Sequence, residues 1–523
     1  MTDGKVHELE AEITEIVDNF VFNKIPSRLI YIPEMKIISR ADLSRAFDPH
    51  AFALFADTVL STPVSEPRMA VSEWVETTWK SAISRMKQNP DEQQPQGIFQ
   101  VLMKAALPTL DFIARSNLNN GDRRSRLKDL VQSVLKYAIL SHRWLRDGEP
   151  TFQDMAQGEI LSSQGGFLKL QKFCEKAEAY GCLLAWSDTC CIDKTSSTEL
   201  DEAIRSMFRW YRNSHVCIVH LAQSSKIGDL QKEEWFERGW TLQELLAPRF
   251  LKFYGQNWTP LGADALSNDK EDEKLLRAIC TVTHIPIDDL QNFVPGMTMV
   301  REKMIWASKR RTTRAEDIAY SLIGIFDVNL SVAYGEGNWA FHRLMEVIIH
   351  SSDEWGIFAW AGPPSTHSRT RAIPRSPRGY SSDTTLATHG DASFTLSKHG
   401  LQLKLMILLG TVRQDADCPG NFVFVAGTLF LRREAFAPFA PIKFQAPSDQ
   451  ISNDRAWAVG VVNCVPIGDG TKCELRPDCD YVCLLLSRGH SEVEWRKVIT
   501  NNVLVIHTLS KHVVRENFTS VWL

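Results

Sequence analysis

Tyr137-Ala-Ile-Leu-Ser-His-Arg-Trp144 is a short apolar run that ends in polar and aromatic residues. A strand buried on both faces of a parallel sheet has this character. It delivers its last side chains to the carboxyl edge, where open α/β sheets hold ligands. Leu183-Leu-Ala-Trp-Ser-Asp-Thr-Cys-Cys-Ile-Asp193 repeats the design, with Asp188 and Asp193 at the strand end. Working outward, strand candidates fall at 137–141, 182–187, 216–221 and 250–254, and helical patterns at 167–180, 200–212 and 233–246. Strands alternating with helices of that length predict βαβ units and a mainly parallel sheet.

Downstream, Arg238-Gly-Trp-Thr-Leu-Gln-Glu-Leu-Leu-Ala-Pro248 reads as one short helix closed by a proline, which lacks a donor and cannot continue the ladder. Residues four apart share a helix face, so the pattern predicts Trp240 beside Glu244 with Gln243 adjacent. Leu242, Leu245 and Leu246 then turn toward a core. A carboxylate, an amide and an indole on one stripe suit a pocket for a sugar or a base. The plainer alternative pairs Glu244 with an arginine on a solvated surface.

Together these three segments resemble the fungal heterokaryon-incompatibility (HET) domain in wording, order and spacing. The resemblance extends to Glu149-Pro-Thr-Phe-Gln-Asp-Met155, Met207-Phe-Arg-Trp-Tyr-Arg212, Arg311-Thr-Thr-Arg-Ala-Glu-Asp317 and Tyr334-Gly-Glu-Gly337. Arg28-Leu-Ile-Tyr31 looks like the family's opening strand, so the likeness covers roughly residues 25–350 with an insertion. Leu145 departs from it, standing where the family usually has glycine. The HET domain is in turn similar, at a distance, to TIR domains, the cell-death modules of animal, plant and bacterial immunity. Both place first a short apolar strand ending near a serine, here Leu140-Ser141. Both carry a tryptophan four residues before a glutamate followed by leucine, here Trp240 and Glu244-Leu245. The resemblance implies a TIR-like (flavodoxin-like), mainly parallel α/β sheet with flanking helices. It also implies Glu244 as the catalytic carboxylate for cleaving nicotinamide from NAD.

Breaking the nicotinamide–ribose bond develops positive charge on the ribose, as in glycoside hydrolysis, and a fixed carboxylate stabilises that charge. The leaving group is neutral, so no strong general acid is needed. On this reading Ser141, His142 and Arg143 contact phosphate or ribose, Trp144 or Trp240 stacks on a ring, and Asp188 and Gln243 line the pocket. Asp188 and Asp193 serve equally well as helix caps or turn residues, and His142 equally as a hydrogen-bonded structural histidine. Cys190 and Cys191 read as buried packing, with a Cys190–His142 hydrolase pair as the chemical alternative. Tyr334-Gly-Glu-Gly337 reads as a turn. No metal site and no bound cofactor are expected, NAD entering only as substrate. Cys473, Cys479 and Cys483 lack paired ligand spacing, no G-x-G-x-x-G is present, and Gly468-Asp-Gly-Thr-Lys472 does not meet the phosphate-loop pattern.

The chain has 523 residues with 59 basic and 63 acidic side chains, a net charge of −4 that offers no general attraction to nucleic acid or anionic membrane. Its 11 cysteines are scattered and odd in number, which suits reduced thiols in the cytoplasm. The first residues have no apolar core of a signal peptide, and no run approaches the ~20 apolar residues of a membrane helix. Expected domains are an N-terminal helix (1–24), the first HET strand (25–40), a helical insertion (41–135), the HET α/β core (136–260) and a helical subdomain (261–350). A Ser-, Pro- and Arg-rich loop or linker (351–390) and a smaller β-rich C-terminal domain (391–523) follow. Within the insertion, 90–96 and 117–121 read as breaks. The linker carries Arg369, Arg371, Arg375 and Arg378, and the alternative reading of that tract is phosphate binding or regulation. Expected partners are further copies of the chain or other HET and signalling proteins. Two functions remain open: a cytoplasmic NAD-cleaving effector of incompatibility or programmed cell death, and a non-catalytic adaptor that works by homotypic assembly.

Overall fold

The computed structural model describes the chain except residues 1–2, 62–70, 87–96, 117–122, 147, 159–164, 368–370, 381–393, 398–399, 419, 432–433, 453, 469, 509–512 and 523. The two breaks expected in the insertion and Arg369 therefore lie outside the described residues. The chain forms two compact units, Met1–Phe236 with Gln243–Phe293, and Glu237–Leu242 with Val294–Leu523.

The first unit is built on a six-stranded mixed sheet. Its strands are β1 (Arg28–Tyr31), β2 (Lys36–Ser39), β3 (Tyr137–His142), β4 (Leu184–Trp186), β5 (Val216–His220) and β6 (Leu251–Tyr254), in spatial order β2-β1-β4-β3-β5-β6. Strands β4, β3, β5 and β6 are mutually parallel, and every residue of these four is buried, as their apolar runs require. Within residues 25–40, Arg28–Tyr31 is the expected opening strand, and the chain then turns back into β2, so that β1 runs antiparallel to both β2 and β4. Pro33 breaks the extended run inside the 3-10 turn Ile32–Glu34, and Met35 reverses the chain at φ 50°.

The helices are α1 (Asp3–Asn23), α2 (Arg40–Ala46), α3 (Pro49–Ser61), α4 (Val71–Met86), α5 (Ile98–Ser116), α6 (Arg123–Val134), α7 (Phe152–Gln157), α8 (Gly165–Ala179), α9 (Ser197–Asn213) and α10 (Thr241–Leu246). Helices α2 to α6 occupy the stretch between β2 and β3. Ser196 caps α9 by accepting from the Glu199 amide, and the helix buries Ile204, Met207, Trp210 and Tyr211. The chain crosses from β3 to its neighbour β4 and then back past β3 to β5, all three strands parallel. Strand order thus reverses between β3 and β5, where open sheets open a crevice at their carboxyl ends.

The second unit combines short helices, among them Val300–Ser308 and Trp339–Ser351, with an antiparallel sheet centred on the strand Gly400–Gln414. That strand pairs with Arg455–Val461 on one side and Val514–Trp522 on the other. Met406, Trp457, Val459, Leu485 and Ile506 lie in the core of this sheet. Between the helices and the sheet, the Arg-rich tract buries Ala372, Ile373, Pro377 and Tyr380.

Candidate functional site

Side chains alternate across a strand, so Ser141 and His142 at the end of β3 go to opposite faces, and two clusters result. Ser141 is fully buried and its hydroxyl donates to Glu244 Oε2 at 2.5 Å, while Glu244 itself is 7% exposed. Trp235 Nε1 donates to the same hydroxyl oxygen at 2.9 Å, which completes the serine's bonding. Tyr211 of α9 donates its hydroxyl to the Leu140 carbonyl at 2.9 Å, with the Glu244 carboxyl nearby. Burial, with the carboxyls of Glu244 and Asp188 nearby, pushes the Tyr211 phenol well above its ordinary value.

The helix that presents Glu244 is short and anchored at its base. Lys270 Nζ donates to the Leu246 carbonyl at 3.2 Å and Arg212 to the Ala247 carbonyl at 3.3 Å, satisfying the C-terminal carbonyls with cations. The Cys217 thiol of β5 leans on the Glu244 carbonyl at 3.9 Å. Burial, with Arg212 adding to it, lowers Lys270 to about 7. Gln243 is 1% exposed, and its buried Nε2 has no hydrogen-bond partner among the described residues.

On the other face, His142 Nε2 lies 3.1 Å from Asp188 Oδ1, and Trp144 Nε1 donates to Asp188 Oδ2 at 2.8 Å. Burial works against ionisation of Asp188, but the bond to His142, the Lys194 charge and the Trp144 donor hold it at about 2. Burial and the Lys169 ammonium lower His142, so the imidazole is neutral at pH 7 and its Nε2–H donates to the aspartate. Trp144 is 40% exposed, with Lys194 Nζ 3.9 Å from its ring centre. Glu149 pairs with Lys169 and accepts from the Leu145 amide at 2.7 Å, which fixes the loop after β3 where the family usually has glycine. Arg143 pairs with Glu234 at 2.5 Å. Asp193 closes a turn, accepting from the Thr195 amide at 3.0 Å and from Gln153 at 2.8 Å. Cys190 and Cys191 are buried, and burial raises the Cys191 thiol well above its ordinary value.

The structure therefore joins Ser141 to Glu244, and His142 to Asp188 and Trp144. It corrects the placement of Trp240. The expected single helix over 238–248 begins only at Thr241, and the pattern over 233–246 is broken after the 3-10 turn Glu234–Glu237. At Arg238 the backbone bridges Arg311, and the Gly239 amide donates to the Arg311 carbonyl at 2.9 Å, so the chain is extended there. Trp240 lies in the turn before the helix and is not on its face. Its indole bonds Asp317, which also accepts from the Tyr334 hydroxyl at 2.9 Å. Gly335 and Gly337, at φ 103° and 60°, turn both amides onto Glu316 Oε1. Tyr211 and Trp235 were missed as site residues. Tyr211 sits in a quoted motif, and Trp235 with Phe236 forms an aromatic pair flanked by charged residues in Glu233-Glu-Trp-Phe-Glu-Arg238.

Among the described residues no three His, Cys, Asp or Glu side chains converge as metal ligands, and no helix is long and apolar enough to cross a membrane. The parallel strands, their connecting helices and the buried Ser141–Glu244 pair define an α/β domain with a polar centre at its strand ends. Residues 137–230 match the family described as heterokaryon incompatibility protein (HET). It is 43% identical over 235 residues to the Vegetative incompatibility protein HET-E-1 of Podospora anserina, covering 42% of this chain and 17% of that protein. The chain thus spans well under a fifth of that relative's length. No solved structure matches it.

Proposed function

We propose that this chain acts in vegetative incompatibility or a related programmed cell death, through TIR-like cleavage of NAD with Glu244 as the catalytic carboxylate. The observation that carries the reading is the direct bond from Ser141 to Glu244 beside the strand-order reversal between β3 and β5. The parallel strands taken alone run second-first-third-fourth, which is the flavodoxin-like order over four strands. An ionised Glu244 would stabilise the oxocarbenium-like ribose as neutral nicotinamide departs, and Ser141 and Tyr211 would orient it. Gln243 Nε2 is a buried donor next to it in sequence that a substrate carbonyl would satisfy.

A second reading has an observation of its own. Ser141 and Tyr211 are closed to solvent and Glu244 nearly so, which suits a structural pair in a non-catalytic module that signals by homotypic assembly. The two readings meet if assembly with further copies or other HET proteins opens the pair. NAD cleavage then rises with protein concentration, whereas a purely structural pair never supports it. Glu244→Gln, which is nearly isosteric, tests this: loss of NAD cleavage and toxicity in a folded protein supports the enzyme, and retained toxicity sinks it.

A further inference from the structure

The Arg-rich tract that the sequence set apart lines a cavity of about 480 Å³ wholly within the second unit. Its lining includes Arg375, Ser376, Arg378, Asn501 and Asn502. The backbone frame is fixed. The Gly362 amide donates to the Thr500 carbonyl at 2.7 Å, the Ala361 amide to the Gly379 carbonyl at 2.9 Å, and the Arg375 amide to the Pro363 carbonyl at 3.2 Å. A Cβ at Gly379 would stand 2.6 Å from the Ala361 carbonyl, so this wall is closed by backbone, and glycine is required there.

Charge in the cavity is unbalanced. Among the described residues no carboxylate lines it, and neither the Arg375 nor the Arg378 guanidinium has an ion pair or side-chain hydrogen bond. Arginine forks match phosphate oxygens two at a time, and two of them facing one space suit a dianion. The volume is in the range of small-molecule sites and far exceeds a bare phosphate. The amides of Asn501 and Asn502 and the Ser376 hydroxyl add neutral donors and acceptors for an attached organic group.

We propose that this cavity binds a soluble organic phosphomonoester, with Arg375 and Arg378 gripping the phosphate and Asn501 and Asn502 reading the organic part. The site is separate from Glu244, so its fate and that of the NAD reading are independent.

The test is isothermal titration of the full chain with inorganic phosphate, AMP and adenosine. AMP should bind more tightly than phosphate, adenosine least, and added salt should weaken the two anions. Arg375→Ala and Arg378→Ala are exposed substitutions that should leave the melting temperature alone. Each should weaken AMP by roughly tenfold to a hundredfold, the worth of a charge-assisted bond. Arg378→Lys should fall between, keeping the charge and losing the fork. The proposal is overturned if phosphate and AMP both fail to bind at millimolar concentration, or if both alanine variants bind as the wild type does. Binding to vesicles bearing a phosphomonoester headgroup, with none to the same headgroup free in solution, would also overturn it.

Discussion

Ser141→Ala probes the link between strand and helix on which the Glu244 site depends. The hydroxyl donates to Glu244 Oε2 at 2.5 Å and accepts from Trp235 Nε1 at 2.9 Å, all inside the protein. Alanine removes both bonds and admits no water in their place. With each buried bond worth about 1–2 kcal/mol, the loss is about 3 kcal/mol, concentrated where α10 lies on β3 and β5. Cys217 reports on that place, because its thiol is buried in β5 against the Glu244 carbonyl. Thiol labelling under native conditions requires local opening, so its rate should rise about a hundredfold in Ser141→Ala. Cys418, which is exposed, should label at an unchanged rate. Glu244→Gln should accelerate Cys217 much less, since the amide oxygen still accepts from Ser141. The double variant should be less than additive, with a coupling of about 1 kcal/mol or more. Labelling of Cys217 in Ser141→Ala within twofold of wild type would refute the reasoning.

Other substitutions test the surroundings. Gln243→Leu removes a buried donor that has no acceptor among the described residues, so it should raise the midpoint of urea unfolding by the equivalent of about 1 kcal/mol. A lower midpoint would show that the amide is bonded. Lys252 and Asp269 form a fully buried pair at 2.7 Å, and Lys252→Met alone strands the carboxylate, costing about 3–5 kcal/mol in urea unfolding. Lys270 titrates at about 7 in the folded protein and at 10.5 unfolded, so between those values the unfolded chain binds more protons. Its contribution to stability therefore rises with pH across that window, and Lys270→Met should lose that rise when melting temperatures are compared at pH 7 and 10. Asp188 works in the opposite range. Its support is complete above its unfolded value of 3.8 and is lost as pH falls through about 2, so Asp188→Asn should cost stability at pH 7 and progressively less as pH drops through that value.

The sequence made the parallel core legible because β3, β4 and β5 are continuous apolar runs bounded by polar ends, and α9 has a capped amphipathic repeat. The hairpin of β1 and β2 was less legible. Its turn holds a proline flanked by residues of ordinary extended character, and the reversal rests on Met35 at positive φ, which no residue type announces. At the site, Ser141 and Glu244 were each singled out through resemblance and the strand-end argument, but their direct bond to one another was not foreseen. Trp240 was misplaced because the spacing of four presumes a helix, whereas the backbone over Arg238 and Gly239 is recruited by Arg311, more than 70 residues away. Such a long-range bridge outweighs local periodicity and leaves no local trace. The same holds for Tyr211 and Trp235, whose roles follow from which strand end α9 and the 3-10 turn happen to face.

The central claim is tested most directly by nicotinamide release from NAD, comparing purified wild-type chain with Glu244→Gln at low and high protein concentration. The account predicts release by the wild type alone, steeper at high concentration as assembly opens the Ser141–Glu244 pair. Equal release by the folded Glu244→Gln protein, or none from the wild type at any concentration, would contradict it.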